Sequence, residues 1–242
     1  MGTYKKALLI MALSASLSAC GGGGGGETTL SFPLQTAVVN LYSTGYQKTA
    51  LVSGTALVSG LSIPVSGTVT LTLTPAANPT IFEGQDALVA TTSVAGSITV
   101  GSQTVSMDSS TLGYLSPTYG PLGYAGNGQY CVAPVAGSYP STVTIGQTGP
   151  IVSYNCYTDS TKTTPTGSEF LSFAVAPGPS LSTATVSLID TFVDLSNVQV
   201  SRAQDNYVID TAGNYTFVSE SGEQTVNDNG TLVTVNLTII PQ

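Results

Sequence analysis

The chain has 242 residues, no His and no Trp, and five Lys or Arg against thirteen Asp or Glu. Without His it lacks the usual general base near neutral pH and the commonest transition-metal ligand, and so acidic a chain has no electrostatic footprint for nucleic acid. With 41 % hydrophobic and only 7 % charged residues, it also has the apolar material for a core that a disordered chain lacks.

Lys5 and Lys6 precede an apolar run from Ala7 to Leu17. That run is too short to cross a bilayer, which takes about 20 residues, and it predicts a signal peptide over residues 1–19. Leu17-Ser18-Ala19-Cys20 resembles the lipobox of bacterial lipoproteins. The resemblance implies cleavage before Cys20 and acylation of Cys20 with palmitate-type chains, which makes the membrane a partner through a lipid anchor. Gly21, in place of the Asp of inner-membrane retention signals, favours the outer membrane. The expected location is therefore the bacterial cell envelope, on the periplasmic or the surface face. Residues 20–27 form the lipidated Cys and its tether. Six glycines reach about 13 Å as a flexible coil, so the folded part is expected close to the lipid.

With Cys20 lipidated, Cys131 and Cys156 remain as a pair in an oxidising compartment. That predicts a structural disulfide. It closes a loop of about 26 residues, worth about 3.5 kcal/mol on the chain-entropy estimate.

Beyond the tether, Phe32-Pro33-Leu34 either begins a strand or prolongs the linker. From there apolar residues recur at period 2 rather than 3.6. Thr49–Gly54 is repeated as Thr55–Gly60, which gives one long strand or a hairpin over Ser53-Gly54. Gly67 to Thr74 sets Val69, Leu71 and Leu73 against Thr68, Thr70, Thr72 and Thr74. Gly101-Ser102 suits a tight hairpin. Residues 109–141, rich in Gly, Pro and Tyr, predict a long loop or a set of turns. The remainder predicts an antiparallel meander through strands near 150–157, 169–176, 182–193, 198–202, 206–210, 214–219 and 231–240. The apolar phase slips at Ile189 and Asp190, which suggests a bulge there, and Asn227 to Gly230 predicts a turn.

The fold class expected is all-β, with antiparallel sheets forming one large β-sandwich or two small β domains, and no helix beyond the signal peptide. The proposed division is residues 28–145, with the Tyr-rich loop, and residues 146–242.

Chemistry is sparse. Asp190, Asp194, Asp205 and Asp210 offer calcium-type ligands, but without a calcium-loop pattern they read as turn and edge acids. The Thr ladder reads as an ordinary half-buried strand. No Ser or Thr has a His to activate it, and nothing selects a carboxylate pair for glycoside hydrolysis. No enzymatic activity, cofactor or metal site is expected. The uncharged Tyr-rich window, with Tyr114, Tyr119, Tyr124 and Tyr130, is the candidate binding surface. The function expected is a membrane-anchored, non-enzymatic structural or interaction module of the envelope, meeting an envelope protein or a glycan. The alternatives are a glycan- or surface-ligand-binding module using the Tyr-rich loop, and a carrier of a lipophilic ligand.

Overall fold

A computed structural model describes residues 30–228 and 231–242. The signal peptide, Cys20, the glycine tether and the tip of the turn at Asn229-Gly230 lie outside the described residues.

The chain opens with β1 (Ser31–Phe32) and α1 (Leu34–Thr44). It continues as β2 (Tyr46–Val58), β3 (Leu61–Leu73), β4 (Asn78–Phe82), β5 (Gln85–Val100), β6 (Gln103–Leu115), β7 (Pro121–Gly126) and β8 (Gln129–Val132). After β9 (Val143–Thr144) come β10 (Thr148–Tyr157), β11 (Pro165–Pro177), β12 (Thr183–Asp194), β13 (Gln199–Asp210), β14 (Tyr215–Asp228) and β15 (Thr231–Pro241).

All strand pairings are antiparallel, and most join neighbours in sequence. Four do not: β1 with β9 and β8 with β10, and the two that bear on closure. β15 pairs β2, Val235 opposite Ala56, and β3 pairs β5, Val69 opposite Gly96. Those two pairings close the sheet on itself as a twelve-strand barrel. β4 hangs on β5 outside the ring. The expected sandwich, or pair of small β domains, is therefore corrected. Strands from both halves of the chain build one ring, and closure removes the sheet edges a sandwich would leave.

The expectation of no helix is also corrected. Leu34, Ala37, Val38 and Leu41 are buried and fall at i, i+3, i+4 and i+7, one helical face. The helix stops at Gly45, whose φ is 67° and whose N–H donates to Leu41 O at 2.8 Å. A Cβ at Gly45 would stand 2.2 Å from Leu73 O, so only glycine fits this corner. The buried face of α1 packs on Val186, Ile209 and Tyr215, at one end of β12, β13 and β14. Asn40 Nδ2 donates to Gly213 O at 3.0 Å in the β13–β14 turn. β1 pairs β9 beside it, with Phe32 and Val143 fully buried. Helix and strand pair together plug that end of the barrel.

Inner and outer faces alternate along the strands, interrupted at irregularities such as Phe192-Val193 and Asn206-Tyr207. In β3, Val69, Leu71 and Leu73 are buried and point inward, and Thr68 and Thr72 lie outside. The six-residue repeat forms one strand, β2, with Ala50, Val52 and Ala56 inside. On the outer face Ser187 Oγ donates to Asn206 Oδ1 at 2.7 Å, and Asn206 Nδ2 donates to Ser219 Oγ at 3.1 Å. The outer wall mixes such Ser, Thr and Asn side chains with exposed Leu51, Leu57, Leu112, Phe170, Val218 and Leu232. No helix among the described residues is long and apolar enough to cross a membrane.

Candidate functional site

Twelve strands make a wider ring than the eight whose interior side chains alone can fill. The lumen holds a cavity of about 730 Å³, within the range of small-molecule sites. Its walls differ in chemistry. Val52, Val69, Leu71, Val94, Ile98 and Leu237 form an aliphatic side. Across from it, four consecutive strands each turn one acid inward: Glu169 on β11, Asp190 on β12, Asp205 on β13 and Glu220 on β14.

Register makes this row. Leu171 stands opposite Asp190, and Leu188 opposite Asp205. Asp205 stands opposite Glu220, which in turn faces Ile239. The acids thus occupy positions of the apolar face. Burial pushes the Asp205 carboxyl up to about 7. Burial, then the charge of Asp205, pushes Glu220 up to about 8. Asp190 is raised by burial first and then by the charge of Glu169. Glu169 is raised by burial, against hydrogen bonds from Asp190 and Tyr124 that favour its charged form. The nearness of Glu169 and Asp190 adds to this, because like charges that close do not both ionise at little cost. Asp190 Oδ1 is buried with no hydroxyl, amide or ammonium donor, and Gln224 Oε1 on the same wall also lacks a partner.

Tyrosines flank both acid pairs. Tyr124 donates to Glu169 and meets Tyr154 edge-on, ring centroids 5.8 Å apart. Tyr46 and Tyr207 stand near Asp205 and Glu220, and Phe217 packs against both rings. Burial holds the hydroxyls of Tyr46, Tyr124, Tyr154 and Tyr207 above the usual range, so they stay neutral donors.

No family model and no curated protein matches the sequence. Among solved structures, it aligns with a Nitrosomonas europaea protein provisionally named AttH, at 8 % identity, over 80 % of this chain and 91 % of that one, with a TM-score of 0.11. A superposition at that score establishes no common fold. The functional reading rests on the lumen itself.

The four tyrosines singled out in the sequence do not share one surface. The region from 109 to 141 is not one long loop; it contains the end of β6, all of β7 and β8, and their turns. Tyr114 and Tyr130 lie on the outer wall around Phe82, Tyr114 stacked on it at 4.1 Å. Gly123 allows this, since a Cβ there would come within 2.6 Å of the Phe82 ring. Tyr130 also donates to Glu83 at 2.7 Å, and Glu83 pairs with Lys162. Tyr119 sits in the β6–β7 turn with a φ of 64°, packed against the main core. Tyr124 alone of the four reaches the acid row.

Cys131 and Cys156 form a disulfide, Cα atoms 4.1 Å apart, directly opposite each other on β8 and β10. Both sulfurs lie beside the Glu169 carboxylate, but as a bridged pair they are not thiolate ligands. No other group of three acids or cysteines converges among the described residues, so the acid row is spread rather than chelating. The four Asp candidates separate: Asp194 and Asp210 accept backbone N–H bonds in their turns, from Ser196 and Val198 and from Ala212 and Asn214, while Asp190 and Asp205 point inward. The apolar phase slip at Ile189-Asp190 is no bulge; Asp190 is an inner residue, and the irregularity falls at Phe192-Val193. Glu169 and Glu220 were missed. The usable signal was an acid in phase with apolar neighbours, as Glu169 is with Leu171, Phe173 and Val175.

Proposed function

We propose that this protein binds a small lipophilic molecule in the lumen of its barrel and is held at the envelope by a lipid on Cys20. The observation that carries the reading is the 730 Å³ lumen with an aliphatic wall on one side and a polar, aromatic wall on the other. A long apolar tail can bury against Val69, Ile98 and Leu237, at about 25 cal/mol per Å² removed from water. A polar head can then meet the acids and tyrosines. The plug of α1, whose Leu41 and Tyr42 line the cavity, supports the same reading, since a closed end favours a container over an open channel. The lipid anchor rests on the lipobox resemblance and places such a container close to a bilayer, where lipophilic molecules concentrate.

Titration with N-phenyl-1-naphthylamine, whose emission rises in apolar surroundings, tests this. The expected result is saturable binding with one site per chain, reversed by dodecanol. Emission that never saturates, or that dodecanol leaves unchanged, would sink the proposal.

A further inference from the structure

We infer that the molecule taken by the lumen is a lipophilic amine, whose protonated nitrogen sits among Glu169, Asp190, Asp205 and Glu220. The inference rests on the container reading above and deepens it.

Three observations carry it. First, the row of acids faces no cation of its own chain among the described residues. Lys48 is exposed on β2. Lys162 is engaged by Glu83 outside the ring. Arg202 lies on the outer face, between Thr191 and Glu223. Buried carboxyls are ordinarily paired, and here Glu169 has the Tyr124 hydroxyl but no acid of the row has a cation among the described residues. Second, the lumen atoms left without a partner are acceptors, Asp190 Oδ1 and Gln224 Oε1. What they lack is a donor, and an alkylammonium supplies up to three. Third, each acid pair is flanked by aromatic rings, Tyr124 and Tyr154 at one and Tyr46 and Tyr207 at the other. Ring faces attract a cation directly. An anion would meet four acids, and a neutral alcohol would gain nothing from their ionisation, whereas an ammonium among them favours the charged carboxylate and pairs with it. A bare divalent ion is not favoured, because the row does not converge on one point.

The test uses the full chain, N-phenyl-1-naphthylamine as a reporter that is neutral at pH 7, and three competitors of equal chain length. These are dodecylamine, dodecanol and dodecanoate, each below its micellar concentration and in 0.3 M salt to screen the acidic surface. Dodecylamine is expected to displace the dye at a concentration at least about tenfold lower than dodecanol, the scale of one charged hydrogen bond, with dodecanoate the weakest. In the double variant Asp190→Asn, Glu220→Gln the amine-to-alcohol ratio is expected to fall to within about threefold. Equal displacement by dodecylamine and dodecanol in the wild type would overturn the inference and leave the container reading standing. Failure of the dye itself to bind would overturn both.

Discussion

Asp205 on β13 stands directly across from Glu220 on β14, both on the inner face of the barrel. Two carboxyls in that position cannot both be charged at little cost, and no Lys or Arg among the described residues pairs with either of them. The groups packed around them are Asp190 and the hydroxyls of Tyr42, Tyr46 and Tyr207, none of which is cationic. Their folded pKa values, about 7 and about 8, lie above those of unfolded Asp and Glu. The stability they contribute is therefore complete below about pH 4 and is lost as the pH rises through about 8. Thermal melts of the ligand-free protein should show a Tm about 5–10 °C higher at pH 5 than at pH 8.5. The variant Asp205→Asn should flatten that slope. A Tm independent of pH across this window would contradict the placement of the pair.

The disulfide joins β8, a strand of four residues, to β10. Replacing both Cys131 and Cys156 by Ala should lower the Tm by about 7–14 °C, from about 3.5 kcal/mol of loop entropy. A reductant should move the wild type toward the same value, and scanning calorimetry with and without it would check this.

Helix α1 acts as a plug through Leu41, which touches both the main core and the lumen. Leu41→Ala should cost about 2–5 kcal/mol in urea unfolding. Ser43→Ala, on the exposed side of the same helix, should stay within about 0.5 kcal/mol. Equal effects at the two positions would mean that the helix does not seal the barrel.

How much of this was legible in the chain depends on the range of the interaction. Local alternation placed Val69, Leu71 and Leu73 on one face of a strand and Thr68 and Thr72 on the other, because the period of 2 is a property of the strand itself. It did not separate a sandwich from a barrel. Both bury one face of each strand, and the difference lies in the pairing of β3 with β5 and of β15 with β2. The helix was legible in Leu34, Ala37, Val38 and Leu41, but it lies in a short stretch beside the tether that reads as the start of a strand or as linker. The acid row was hidden for another reason. An acid on an apolar face looks like a break in phase, as at Asp190, and only the register shows that four such breaks adjoin.

The proposed lipid anchor on Cys20 makes its own prediction. Cys20→Ala should abolish incorporation of labelled palmitate and move the protein from the membrane pellet to the soluble fraction. Retention in the membrane pellet would remove the basis for the lipidated form.

The claim that the lumen is the binding site is tested most directly by filling it. Ala203 faces inward opposite Asp190 and Gly222 and lines the cavity. In Ala203→Trp the indole would occupy space a ligand needs. Titration with N-phenyl-1-naphthylamine should then give at least about tenfold weaker binding than the wild type, in a protein that still melts cooperatively. Wild-type affinity in a folded Ala203→Trp variant would show that the dye binds elsewhere, and the account of the lumen would be wrong.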